Sequence, residues 1–193
     1  MSIPARDITY FRQVGTSPLE AWYSNQTTAV TPGAATLADD TLMAVPFVVG
    51  RGCTIDRIGM EVTLLGVLSK ARIGIYNATS PVNLYPSSLV VDSGELDTTS
   101  AGVKSATISQ VLKPGLYWLA HLSDSTGGLA TVRTIGGAGC FPIFGTASTL
   151  PTESDLGLTV AQAYGALPST FTASASTIDS TTDFPIIAVR LST

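Results

Sequence analysis

The stretch Asp56-Arg57-Ile58-Gly59-Met60-Glu61-Val62-Thr63-Leu64 decides the fold class of this 193-residue chain. Ile58, Met60, Val62 and Leu64 occupy every second position, whereas Arg57, Glu61 and Thr63 point the other way. Because successive side chains of a β-strand lie on opposite faces, this alternation predicts a strand with one buried face. Residues 70–76, 116–122 and 185–191 alternate in a similar way. The pattern therefore favours antiparallel sheets that each turn one face towards a core.

The rest of the chain reads as more strands separated by turns rich in Gly, Pro, Ser and Thr. No convincing helical periodicity extends over ten or more residues, and no internal repeat is visible. About eight to ten short strands without helices are typical of an antiparallel β-sandwich such as a jelly roll. The sequence thus predicts one all-β, jelly-roll-like sandwich over residues 21–193.

Residues 1–20 differ from the remainder and are predicted to form an N-terminal arm. Their apolar side chains, Ile3, Ile8, Tyr10 and Phe11, are spaced irregularly among polar residues. We expect these four side chains to dock on a neighbouring subunit or a larger assembly. The alternative is an edge strand packed on its own domain.

Two local features make more specific predictions. Pro46 interrupts the apolar run 41–49, and because proline cannot donate to a ladder, it indicates a sheet edge or a bulge there. Residues 125–128, Ser-Thr-Gly-Gly, resemble a hairpin turn that leads into a strand over 129–135.

The composition limits the classes of partner. Only 12% of the residues are charged, about half the usual fraction, and hydroxyl side chains supply much of the polarity. A net charge of −4, with basic residues scattered singly, argues against nucleic-acid binding. No apolar run is long enough to predict a membrane span.

The start of the chain and its cysteines suggest a compartment. Residues 1–7 contain an acid and no apolar core of a signal peptide, so we expect folding in a reducing cytoplasm. Cys53 and Cys140 are too few for a disulfide framework and lack metal-ligand spacing. We interpret both as buried thiols, with a disulfide between them as the alternative.

No constellation of residues predicts catalysis, a cofactor or a metal. His121, near Ser123 and Asp124, invites a hydrolase interpretation, but its position beside Tyr117 and Leu119 on one strand face favours a packed or interfacial imidazole. Paired carboxylates could hydrolyse glycosides, yet nearly all the acids fall in turns. Asp39-Asp40 and the acids of 153–155 could bind calcium, but no EF-hand spacing supports this.

Exposed aromatic residues offer one binding option, because aromatic rings can stack on sugars. Tyr85 lies in a loop rich in Asn and Ser, and Tyr164 precedes Gly165. These two residues are the candidates for glycan binding. Trp118 alternates with Leu116 and Ala120 and is predicted to lie in the core.

Six short sequence segments, taken in this order, resemble those of a known group of domains: residues 45–47, 56–62, 71–76, 92–97, 112–120 and 163–168. The series resembles jelly-roll domains of tailed-bacteriophage virion proteins, which occur in head-decorating, head-fibre and tail-fibre components. The resemblance covers about residues 40–170, and none of the six segments is a catalytic signature.

The resemblance implies a non-enzymatic virion protein, assembled in the cytoplasm of a host bacterium. We expect a capsid decoration protein, forming a homotrimer, whose partners are the major capsid protein or another virion protein. A tail- or head-fibre module that recognises host surface polysaccharide is the alternative. A small glycan hydrolase is a third, weaker hypothesis.

Overall fold

The computed structural model describes residues 22–24, 32–79, 84–124, 126–135, 156–172, 177–179 and 183–192. Within these ranges the chain forms strands and no helix, and every strand pairing is antiparallel. The predicted antiparallel β-sandwich is confirmed. The strands are β1 (Trp22–Ser24), β2 (Gly33–Thr36), β3 (Thr41–Val49), β4 (Cys53–Leu64), β5 (Lys70–Ala78), β6 (Pro86–Asp92), β7 (Leu96–Asp97), β8 (Gly102–Leu112), β9 (Gly115–Asp124), β10 (Thr131–Ile135), β11 (Gly157–Ala161), β12 (Thr177–Asp179), β13 (Phe184–Pro185) and β14 (Ile187–Leu191).

These strands form two sheets of seven within the described ranges. Sheet A has the order β1-β14-β4-β10-β13, with β2 beside β10 and β8 beside β4. Sheet B has the order β12-β11-β3-β9-β5-β6, with β7 beside β5.

The central pairings are nested along the chain. Strand β5 pairs with β6, β4 with β8, β3 with β9, and β2 with β10. Successive pairs alternate between sheet B and sheet A. The segment from β2 to β10 is therefore one long antiparallel hairpin, wrapped so that its two sheets face each other.

In β4 and β5 the core between the sheets follows the predicted alternation. Its largest contributions come from inward-facing residues of three long strands: Met43, Val45, Phe47 and Val49 on β3; Ile55, Ile58, Met60 and Val62 on β4; Ile73 and Ile75 on β5. Leu64, predicted to share the buried face of β4, is 63% exposed instead. It lies at the last position of its strand, where the chain turns towards β5.

Sheet B is buried on its other face as well. Leu42, Trp118 and Leu122 belong to a second apolar cluster there, which residues 162–172, the covering segment, close with Leu167 and Phe171. The Tyr76 hydroxyl donates to the carbonyl of Pro168 at 2.9 Å. Backbone bonds from Leu89 to Ser169 and from Phe171 to Ser87 also attach this segment to β6. The predicted core position of Trp118 is thus confirmed, in this second cluster.

The prediction for Pro46 is confirmed locally. Strand β11 pairs with β3 only over Thr41–Ala44, so among the described residues Pro46 has a strand neighbour on one side, at Trp118. The predicted hairpin at 125–128 is wrong, because β9 belongs to sheet B and β10 to sheet A. Turn residues indicate a reversal of the chain, but they do not determine whether the flanking strands pair with each other.

Candidate functional site

Tyr164, one of the two predicted glycan contacts, anchors the covering segment. Its backbone N–H donates to Asp40 Oδ1 at 2.7 Å, and its ring packs against the outer cluster of sheet B. Burial, with a contribution from Glu95, raises the pKa of Tyr164 to about 12, although Arg72 nearby opposes the shift. A buried hydroxyl beside a guanidinium suits an anchor better than a sugar-stacking platform.

Tyr85, the other predicted contact, is exposed and lies where β6 begins. Its carbonyl accepts hydrogen bonds from the backbone N–H and the hydroxyl of Thr79, at 2.8 and 3.0 Å. The Trp118 indole N–H donates to the carbonyl of Leu84, the exposed neighbour of Tyr85, at 2.7 Å. The backbone that presents Tyr85 is therefore well fixed.

The two tyrosines lie at opposite ends of β5, Tyr164 near Arg72 and Tyr85 near Thr79. Seven residues of strand separate those positions by roughly 20 Å. The structure does not bring the two candidates into one site.

A shallow cavity of ≈ 410 Å³ opens beside the start of β5, with Lys70 between acidic neighbours. Lys70 pairs with Glu95 at 2.7 Å, and Asp97 and Asp124 lie opposite it on the two adjacent strands. Each of these aspartates accepts two hydrogen bonds, from the backbone N–H and the hydroxyl of the threonine two residues later. The carboxylates therefore close turns, and no group of potential ligands among the described residues could hold a metal.

His121 is packed as predicted, on the inner face of sheet B between Met43 and Ile73. Its Nε2 lies 3.3 Å from Ser123 Oγ, whereas no described residue bonds to its Nδ1. Burial lowers the pKa of His121 to about 4. Asp124 bonds to Thr126, so the three polar residues of this strand do not assemble as nucleophile, base and orienter.

The connection from β4 to β5 exposes four aliphatic side chains, here called the apolar tip: Leu64, Leu65, Val67 and Leu68. The backbone within it is anchored, since Gly66 N–H donates to Thr98 at 3.2 Å. A Cβ at Gly66 would overlap the carbonyl of Gly128, so the tip is packed tightly on the neighbouring turn. A fixed apolar surface of this kind is typical of a contact site. The sequence signal was a turn made of Leu-Leu-Gly-Val-Leu, where polar residues are usual.

The outer face of sheet A is polar but nearly uncharged in sum. Arg133 pairs with Glu61 and Arg190 with Asp56, and these guanidinium groups hold the pKa of each carboxyl below its usual range. Beside them, β8 presents an exposed row of two valines and three hydroxyl residues: Val103, Ser105, Thr107, Ser109 and Val111. Such a face has little net charge to desolvate on contact.

Several predicted residues lie outside the described part of the chain. These are the arm side chains Ile3, Ile8, Tyr10 and Phe11, together with Cys140, Glu153 and Asp155. Cys53 is described: its thiol is free and half-buried, and burial raises its pKa. The described residues contain no helix that could cross a membrane.

Comparison with known families gives no assignment: no protein-family model matches the chain, and no curated protein matches it significantly.

Proposed function

We propose that this protein is a structural component of a tailed-bacteriophage virion, and specifically a capsid decoration protein that acts through subunit contacts. The observation that carries the proposal is the apolar tip, four aliphatic side chains held on a rigid turn at one end of the sandwich. Covering a Leu or Val side chain contributes about 1.5–3 kcal/mol relative to leaving it in water. Repeated over many copies, such contacts would stabilise a shell.

The nested strand pairs support the same class of protein. We propose that the eight strands β2–β6 and β8–β10 have jelly-roll topology, with strand orders β2-β10-β4-β8 and β3-β9-β5-β6. Jelly rolls are the double-sheet architecture of many viral capsid domains. Strands β1 and β11–β14 would then be additions to this frame.

The proposed role is tested on particles. Antibodies against the purified protein should label phage heads in immunogold electron microscopy, and the protein added to particles that lack it should co-sediment with them. Labelling confined to tails would favour adhesion, and absence from all particles would refute a virion role.

Variants of the apolar tip test the mechanism. Replacing Leu65 and Val67 by serine should weaken co-sedimentation at least about tenfold, since two buried aliphatic contacts are lost. Leu84→Ser, another exposed leucine remote from the tip, is the matched control and should bind as the wild type does. Equal binding by all three proteins would exclude the tip as the contact.

The second candidate is a receptor-binding module for host surface glycans. It is favoured by exposed Tyr85 on its fixed backbone, beside exposed Leu84 and the bonded pair Asn77 and Ser88. Binding to a glycan array that is lost in Tyr85→Ala and kept in Tyr164→Phe would support it. An array without signal, together with head labelling, would leave decoration as the role.

The homotrimer is also a proposal, and sedimentation measures it directly. A mass of three chains of 19.9 kDa that persists on dilution to below about 1 µM would support it. A lower mass at all concentrations would count against it.

A further inference from the structure

Strand β8 is a long edge with few of the usual protecting features. It extends over eleven residues, and within the described part of the chain it pairs only with β4. Natural sheet edges are commonly blocked by charges, prolines or bulges on the exposed side, because free backbone groups recruit another strand. Residues 103–111 contain one lysine and no proline, and the register with β4 shifts once, between Thr107 and Gln110, although the exposed positions still alternate across this shift.

The side chains of this edge form a palindrome about Thr107. Reading outwards in both directions, Thr107 is followed on the exposed face by Ser105 and Ser109, and then by Val103 and Val111. The two valines are the most exposed large hydrophobic residues among those described, at 71% and 67%. A pattern that is the same in both directions matches itself when two copies run antiparallel.

We propose that two copies of this chain associate through their β8 strands, antiparallel, about a twofold axis through Thr107. Association about a twofold axis requires a surface patch that is complementary to itself. The exposed edge of β8 meets this requirement. The pairing joins sheet A of one copy to sheet A of the other. It does not depend on whether the protein belongs to a virion.

The register follows from the geometry of sheets. Residues directly opposite each other in an antiparallel pair have their side chains on the same face of the sheet. The twofold axis must therefore pass through a residue and not between two neighbouring residues. Only the axis at Thr107 sets Val103 opposite Val111 and Ser105 opposite Ser109. A shift by one residue to either side would place at least one of the valines against a serine or beyond the matched segment.

The same register suits the inner side of the edge. Ala106 and Ile108 are partly buried against the core. In the proposed pairing, Ala106 of one copy lies opposite Ile108 of the other. Lys104, which donates to Ser100 Oγ at 2.7 Å, faces Gln110 and not a second lysine. Pairs of β-branched and hydroxyl residues are favourable across strands, and no like charges meet.

Sedimentation velocity over a range of concentrations tests the pairing. The mass of the wild type should rise with concentration, with a dissociation constant of about 1–100 µM for the pairing of two copies, because one strand pair lies at the small end of specific interfaces. Thr107→Lys should weaken dimerisation at least about tenfold, since two lysines would face each other on the axis. Thr36→Lys, on an exposed threonine of edge strand β2, is the matched control and should dimerise normally.

A cysteine on the axis gives an independent readout. Thr107→Cys should form a disulfide-linked dimer on mild oxidation, since opposite residues have Cα atoms about 4.5–5.5 Å apart. Ser105→Cys should not, because the two copies of residue 105 would lie roughly 13 Å apart along the strands. Both variants carry serine in place of Cys53 and Cys140.

A monomeric wild type up to about 1 mM, as expected if residues 1–20 of the same chain cover β8, would overturn the proposal. So would a concentration-dependent association that Thr107→Lys leaves unchanged, or equal cross-linking at residues 105 and 107. None of these results bears on particle labelling, so the failure of this pairing and of a virion role can be told apart.

Discussion

The carboxylate of Asp92 joins sheet B to the segment that covers it, by accepting a hydrogen bond from the backbone N–H of Leu167. The Oδ2 atom of Asp92 lies 3.0 Å from Leu167 N and 2.8 Å from Arg72 Nη1. Its Oδ1 atom accepts from Gly94 N at 2.9 Å, so both oxygens are used. One mostly buried side chain therefore links two strands, a turn and residues 162–172.

Removing this carboxylate should destabilise the protein and loosen the covering segment first. Asp92→Ala leaves Arg72 without its ionic partner and the Leu167 amide without an acceptor, and we expect a loss of about 2–3 kcal/mol. Urea unfolding measures the loss, and hydrogen exchange should show faster exchange at Leu167. Glu95→Ala, which breaks the exposed pair with Lys70, should cost less than about 1 kcal/mol. Similar costs for the two variants would contradict this assignment.

The buried imidazole of His121 should make stability depend on pH. Its pKa of about 4 lies below the unfolded value near 6.5, so the unfolded state binds the extra proton between these pH values. The contribution of the neutral imidazole to the free energy of unfolding is fully present above about pH 6.5. It is lost as the pH falls to about 4, and the total loss is about 3 kcal/mol.

His121→Gln isolates the effect, because the amide cannot titrate while the carboxylates still do. The difference in unfolding free energy between wild type and variant should favour the wild type at pH 7. It should shrink steadily on going to pH 4.5. A difference that is constant with pH would rule out a depressed imidazole pKa.

Gly157 lies where β11 passes closest to both β3 and sheet A. A Cβ at this position would overlap the Ala44 carbonyl and lie 2.6 Å from Phe184 Cε1. Gly157→Ala should therefore lower stability by about 2–3 kcal/mol through overpacking, measured by thermal unfolding. Gly165→Ala, with no described atom within 4 Å of the added methyl, should change it by less than about 0.5 kcal/mol.

The two tryptophans should respond differently to a quencher. Trp118 is 2% exposed beneath the covering segment, whereas Trp22 is 41% exposed with its ring over Gly59. Acrylamide should quench about half of the emission readily and leave a blue-shifted remainder. Trp22→Phe should remove the accessible component, and an unprotected Trp118 in that variant would show that residues 162–172 do not cover sheet B.

The candidate contact surfaces could be predicted only in part from the sequence. The pattern in β8 could be read from residues 102–112, but its position at a sheet edge depends on which strands pair with β4. Tyr164 was predicted to contact a glycan, yet its hydroxyl is buried among side chains from distant elements. Local sequence does not report contacts made by residues far along the chain.

The sequence by itself determined the all-β class and the inward-facing rows of β4 and β5, because a period of two follows from strand geometry alone. The tertiary structure decided which sheet each strand joins, as β9 and β10 show by separating across the sandwich. It also decided that sheet B is covered on both faces. Pairing and cover depend on hydrogen bonds between remote segments, such as β2 with β10 and Leu89 with Ser169, which alternation within one strand cannot specify.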